Sequence, residues 1–277
     1  MGDEAPKAVP EGEFAQLKNG YRMHYHQAGS GPVVMFLHGS GPGGSGFSNF
    51  KGNYPYFAEH GLRAIVPDSM GFGYSDKPQD AKYTLEFHVE NFHQFLDALG
   101  IDKLSLVGNS HGGGVAIAFA LKYPERIDKL VLMAPGGLEE REVYMQMPGI
   151  QAMMKSFFSP EGITREGMRE VFGLQLYDPS LVTDEIIEQR FSIAEHQPKG
   201  VIATQRMPHL TPLLKDLKCP VFGLWGMNDQ FCPPSGARHL AENCSRCRVL
   251  TLSECGHWVM VEHRDLFNRL CVDFLKE

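Results

Sequence analysis

Residues 104–122 read Leu-Ser-Leu-Val-Gly-Asn-Ser-His-Gly-Gly-Gly-Val-Ala-Ile-Ala-Phe-Ala-Leu-Lys, and this order decides the architecture. The apolar run Leu104 to Val107 predicts a buried strand, and the alanine-rich stretch Val115 to Leu121 predicts a helix. Between them Gly108-Asn109-Ser110-His111-Gly112 fits the G-x-S-x-G pattern of a nucleophile elbow. A serine on so sharp a strand-to-helix turn is crowded, so the residues two positions away must be almost free of side chain. In return its hydroxyl projects clear of the backbone, and the helix N-terminus offers amide N–H groups to a developing oxyanion.

Working outward, the other apolar runs alternate with helical patterns. Phe14 to Leu17 and Tyr21 to His26 predict a hairpin around Asn19-Gly20. Val33 to Leu37, Arg63 to Val66, Ile127 to Met133, Val221 to Gly226 and Val249 to Leu252 predict further strands. Helices are expected over 48–60, over 84–99 with Thr84 at its start, over 234–242 and over 262–275. Alternation of this kind implies a mainly parallel sheet with helices on both faces, an α/β fold. Residues 137–209 differ in character. They hold helical fragments broken by prolines and are rich in methionine and phenylalanine. They predict a helical cap (137–209) inserted into a core made of 1–136 and 210–277.

Composition narrows the function. The 277 residues carry a formal charge of −7, which argues against a nucleic-acid surface or an anionic membrane patch. No stretch approaches the roughly 18 consecutive apolar residues of a membrane helix. Met1 to Gly12 is polar, with no apolar signal-peptide core, so a cytoplasmic protein is expected. The six cysteines all lie in the last quarter. Cys244-x-x-Cys247 lacks a second pair or a neighbouring histidine set, so no metal is expected and the thiols read as reduced and incidental.

In an open parallel sheet, reactive groups collect beyond the carboxyl ends of the strands. His38-Gly39, Ser110, Asp229 and His257 each follow an apolar run. Serine is a poor nucleophile at neutral pH and needs a base within hydrogen-bond reach. His257, in Cys255-Gly256-His257-Trp258, is the candidate base, and Asp229 would fix its tautomer and stabilise the imidazolium. Asp68 and Asp76 are rivals for the acid. The loop 38–46, with five glycines, has neither the lysine-serine ending nor the spacing of a phosphate-binding loop. Its place after an early core strand suits a second oxyanion amide. His88 and His93 read as packing or surface residues.

The order Ser110…Asp229…His257 is that of α/β-hydrolase triads. More specifically, the chain resembles the meta-cleavage product hydrolases, which cleave a carbon–carbon bond in 2-hydroxy-6-oxohexa-2,4-dienoates. The resemblance rests on His38-Gly39-Ser40-Gly41-Pro42-Gly43 with Ser48-Asn49, Gly108-Asn109-Ser110-x-Gly112-Gly113, Ala134-Pro135-Gly136-Gly137 and Leu176-Tyr177-Asp178. Arg190, Trp225-Gly226-x-x-Asp229, Cys255-Gly256-His257-Trp258 and Glu262-His263…Phe267-Asn268 complete it. It implies an α/β-hydrolase fold, no cofactor, and a homo-oligomer, dimer or larger. It also implies an oxyanion hole from the amides of Ser40 and His111, and substrate contacts from Gly41, Asn49, Asn109, Gln175, Arg190 and Trp258. Arg190 would take the substrate carboxylate. Ser40, Gln175 and His111 depart from residues that family members often carry there. The Met/Phe-rich cap leans toward a bulky apolar C6 substituent, aryl or steroid-derived. A carboxylesterase using the same triad and a non-catalytic ligand receptor on the same scaffold are the alternatives. Haloalkane dehalogenases and epoxide hydrolases share the fold but need aspartate in place of Ser110.

Overall fold

The continuous apolar runs become the inner strands of a single sheet, because burial on both faces removes any need for polar alternation. A computed structural model describes residues 11–277, so most of the expectation for the N-terminal segment lies outside the described residues. The strands are β1 (Glu13–Gln16), β2 (Arg22–Ala28), β3 (Val33–Leu37), β4 (Arg63–Pro67), β5 (Leu104–Asn109), β6 (Ile127–Met133), β7 (Val221–Gly226) and β8 (Cys247–Leu252). Their spatial order is β1-β2-β4-β3-β5-β6-β7-β8. The pairs from β4 through β8 are parallel, and only β1–β2 and β2–β4 are antiparallel.

The two-residue period of the strands divides their side chains between two cores. Met35 and Leu37 of β3 pack with Leu130 and Leu132 of β6 on one face. Val34, Phe36, Val131 and Met133 pack on the other. Helices α1 (Gly46–Phe50), α2 (Tyr54–Glu59), α3 (Leu85–Ala98) and α4 (His111–Lys122) fall between the first six strands. Between β6 and β7 come α5 (Arg141–Tyr144), α6 (Pro148–Phe158), α7 (Arg165–Gln175), α8 (Asp184–Ala194) and α9 (Gly200–Ala203). The chain closes with α10 (Ser235–Asn243), α11 (Val259–Glu262) and α12 (Arg264–Lys276). No helix of the described residues is long and apolar enough to cross a membrane.

Three local expectations need correction. The helix expected over 48–60 is two helices, α1 and α2, with Pro55 in the first turn of the second. A proline is tolerated there but not mid-helix, so the chain restarts. The terminal helix begins instead at Arg264, because His263, at φ −118°, interrupts the run after α11. The first hairpin has a three-residue loop, Lys18-Asn19-Gly20. Leu17 N donates to Tyr21 O at 2.8 Å, and Gly20 takes the positive φ (91°).

Candidate active site

Ser110 sits between β5 and α4 at φ 55°, ψ −122°, a conformation that L-residues rarely hold. The cost is offset by satisfied backbone groups on both sides. Ser110 N donates to Met133 O at 3.0 Å, while Ser110 O accepts from Gly114 N at 3.1 Å and Gly136 N at 2.8 Å. Two other non-glycine residues with positive φ, Ala134 and Glu254, follow β6 and β8, so strain collects at the ends of the strands that flank the site. Close approach fixes Gly112, since a Cβ there would overlap the Leu37 carbonyl of β3.

Asp229 follows β7 and is buried. Its Oδ1 accepts from the amides of Phe231 at 2.7 Å and Cys232 at 2.9 Å, which leaves Oδ2 to accept from His257 Nδ1 at 2.6 Å. That bond places the proton on Nδ1, so Nε2 is free to accept. The imidazole is held from three further directions. Its own amide donates to Gln175 O at 2.7 Å, its carbonyl accepts from Asn109 Nδ2 at 3.4 Å, and Phe231 stacks on the ring with centroids 5.2 Å apart. Asp68 and Asp76 are engaged elsewhere. Asp68 Oδ2 pairs with His24 Nδ1 at 2.9 Å, and Asp76 Oδ2 accepts from Arg22 N at 2.8 Å.

Ser110, His257, Ser40, Gly41, Asn49, Asn109, Gln175, Arg190 and Trp258 all border one cleft of about 40 Å³. Every substrate contact expected from the sequence therefore faces a common space. Asn109 Oδ1 and Gln175 Oε1 are buried with no hydrogen-bond partner among the described residues, as acceptors awaiting a donor would be. His111 is the first residue of α4, where backbone N–H groups have no intrahelical acceptor. Its side chain packs edge-on against His88, with ring centroids 4.8 Å apart. Burial and the neighbouring His88 and His38 hold it neutral, well below the ordinary histidine value. Burial likewise pushes His88 down to about 3.

Arg190 is the least ordinary group in the cleft. It projects from α8, is 2% exposed, and stacks on Trp258 and Phe172, 4.8 and 5.0 Å from the ring centres. Its Nη2 donates to Asn49 Oδ1 at 2.7 Å, and among the described residues no carboxylate lies within ion-pair reach. Burial without a counter-charge pulls its pKa down to about 9. A buried guanidinium with only a neutral partner is costly, and it is the arrangement expected of a receptor for an anion.

The inserted helices are locked to the core at the site itself. Gly43, at φ 61°, lies so close to α8 that a Cβ would overlap the Arg190 carbonyl, and its amide donates to Gln197 Oε1 at 3.1 Å. Gly43→Ala is therefore expected to destabilise the fold by about 3 kcal/mol or more, measured by urea unfolding, and to lower activity further by displacing Arg190. On the opposite side Glu262 accepts from the amides of Gly256 at 2.6 Å and Tyr177 at 2.6 Å, tying the His257 loop to the end of α7.

Residues 32–264 match the α/β-hydrolase fold family. The chain is 38% identical to a 2-hydroxy-6-oxo-6-phenylhexa-2,4-dienoate hydrolase of Burkholderia cepacia, over 92% of this chain and 91% of that one. It is 37% identical to a 2-hydroxy-6-oxononadienedioate/2-hydroxy-6-oxononatrienedioate hydrolase of Comamonas testosteroni, with the same coverage. The solved meta-cleavage product hydrolase of Pseudomonas fluorescens IP01 superposes with a TM-score of 0.85 at 33% identity, over 96% of this chain and 97% of that one. The chain belongs to the meta-cleavage product hydrolases.

Sequence reasoning missed several residues that shape this hydrolase's site. Phe231 stacks on His257, Glu262 braces its loop, and Gln197 anchors loop 38–46 to the segment between β6 and β7. His38, which the sequence singled out with Gly39, ties that loop to the turn after β4, with Nδ1 donating to Gly39 O at 2.7 Å and Nε2 accepting from Ser69 N at 3.0 Å. Ile150 and Met153 of α6 also line the cleft. Phe231 stands two residues after Asp229, and that spacing was the one available signal. The others touch the site only through tertiary contacts. The six cysteines are free thiols. Cys232 lines a second cavity together with Ser110. Among the described residues no three His, Cys, Asp or Glu side chains form a group able to hold a metal ion.

Proposed function

We propose that this hydrolase cleaves the C5–C6 bond of a 2-hydroxy-6-oxohexa-2,4-dienoate, with residues 137–209 as a cap over the site. The observation that carries the reading is Arg190, buried, stacked on two aromatic rings and without a carboxylate partner among the described residues, in the same cleft as Ser110 and His257. A simple carboxylesterase needs no such receptor, whereas a dienoate brings its own carboxylate.

The chemistry follows from what a carbon leaving group demands. In the dienol form, loss of C5 would generate an unstabilised carbanion. Moving the enol proton to C5 gives a 2,6-dioxo-3-enoate, with Arg190 on the C1 carboxylate and His257 within reach of the 2-oxygen. Ser110 then adds to C6 while His257 Nε2 takes its proton, and the oxyanion is held by the amides of Ser40 and His111. Collapse breaks C5–C6, the electron pair flowing through C4 and C3 onto the 2-oxygen, which takes the proton from His257 Nε2 and leaves that histidine free to act as a base again. Water, activated by the same histidine, releases the acid. The products are 2-hydroxypenta-2,4-dienoate and a carboxylic acid.

The acyl half is assigned to a second cavity of about 200 Å³ that shares Ser40 and Ser110 with the cleft and is walled by Ile150, Met153, Met154, Ile202 and Met207. This supports a C6 substituent of aryl size or larger, as in aromatic or steroid ring degradation, because flexible thioethers mould to an irregular apolar surface. We also read the enzyme as cytoplasmic and as a dimer or larger, on the family resemblance.

Following loss of the yellow dienoate chromophore beside p-nitrophenyl acetate hydrolysis tests the reading. Dienoate cleavage is expected to exceed ester hydrolysis on the order of 10³-fold in kcat/KM, because an ester leaves Arg190 unpaired. Equal or reversed rates would favour the esterase. A pH profile adds a second check. Arg190 is charged below about 9 and neutral above it, so kcat/KM for the dienoate should decline as pH rises past that value. Ester hydrolysis should show no such decline.

A further inference from the structure

The cleft is bordered by a cavity at each end. On the Ser110 side lies the methionine-walled acyl chamber. On the other side, sharing Asn49, Arg190 and Trp258 with the cleft, lies a groove of about 500 Å³ between α1, α8 and α11. The functional reading so far gives this groove no role. Its partition from the cleft is thin, consisting of the Arg190 guanidinium, the Asn49 amide bonded to it at 2.7 Å, and the Trp258 indole.

Resting on the carbon–carbon hydrolase reading, we propose that the groove is the release path and transient binding site of the anionic dienoate product. Two products form in one cleft, and their order of departure is constrained. Once C5–C6 breaks, the acyl half is bonded to Ser110 and fills the chamber on that side. The dienoate lies against Arg190 and cannot pass the acyl group. Its open direction is through the partition. The groove suits a flat, four-carbon diene bearing a carboxylate. Val182, Ile186, Met260 and Val261 supply apolar wall, and Lys51 and Arg264 supply two further cations beyond Arg190. Lys51 Nζ bonds only the neutral Gln189 Oε1, at 3.2 Å, and Arg264 pairs with its exposed neighbour Asp265. Glu185 is the single acid on the wall. An anion leaving Arg190 therefore moves toward cations and is not stranded in an apolar passage, which keeps the barrier to its desorption low.

Filling the groove without touching the cleft tests this. Ile186 and Val261 line the groove and not the cleft. In rapid-mixing experiments Ile186→Trp, Val261→Trp and the double variant should bleach the first equivalent of dienoate at the wild-type rate. Later turnovers should then slow by about fivefold or more, since release becomes limiting. Lys51→Glu with Arg264→Glu, both exposed, should show the same split without altering packing, which guards against misfolding of the tryptophan variants. Unchanged later turnovers would remove the release path and leave the hydrolase reading intact. Equal slowing of both phases would also overturn it, since the groove would then act only by positioning Arg190. Failure of the unmodified chain to bleach any dienoate removes the functional reading itself, and with it the groove's ligand.

Discussion

Replacing Ser110 with alanine should leave a protein that binds the dienoate and does not cleave it. Removing the nucleophile of a serine–histidine–aspartate unit lowers kcat by roughly 10⁴–10⁶. Binding should survive, because Arg190, the proposed carboxylate receptor, lies on α8 and is held by Asn49, Trp258 and Phe172, not by the serine. Alanine also lacks a hydroxyl whose loss could unfold the turn, since the strain at φ 55° is held by backbone bonds to Met133, Gly114 and Gly136. The measurement is a spectroscopic titration of the variant with substrate beside single-turnover cleavage. A variant that bound the dienoate and still turned it over within tenfold of wild type would remove Ser110 from the mechanism. Asp229→Asn should fall between the two, because the imidazole would keep its place and lose the partner that fixes its tautomer.

Arg190→Met is expected to separate function from stability in an unusual direction. A charge-assisted contact to the substrate carboxylate should cost about 10²–10³ in kcat/KM when removed, most of it in KM. Most deletions of a buried polar side chain also destabilise. Here the guanidinium is buried without a counter-charge, its pKa pulled down to about 9, so the folded apo-protein already bears its desolvation. Methionine fills similar volume against Trp258 and Phe172, and the melting temperature should hold or rise. Ester hydrolysis should be retained. A large drop in melting temperature would mean that Arg190 holds α8 in place and that the loss of activity is indirect. Arg190→Lys should not rescue, because an ammonium neither stacks on the two rings nor forks onto a carboxylate.

Most of the sheet could be read from the chain because continuous apolar runs bounded by glycine-rich loops have few other stable uses. The elements that went wrong, 48–60 and the start of the last helix, lie where a proline or a single non-helical residue interrupts an otherwise helical pattern. Local propensity does not reveal on which side of such a break the chain resumes. The candidate triad was legible for a different reason. In a parallel sheet the strand ends converge, so residues that follow strands in sequence become neighbours in space.

What sequence alone determined was therefore the architecture and the gathering of Ser110, Asp229 and His257 at neighbouring strand ends. A G-x-S-x-G turn between strand and helix demands one backbone shape, and a serine in it demands a base and an acid on neighbouring strand ends. What only tertiary structure decided was the substrate end of the cleft. Nothing local distinguishes Arg190 from a solvated helix charge beside Glu188. Its burial follows from Gly43 letting the glycine-rich loop 38–46 reach α8, and from Gln175 and Glu262 fastening the His257 loop to the end of α7. Those contacts join residues far apart in the chain, and only their packing turns an arginine in a polar-looking helix into a buried, unpaired cation facing the serine.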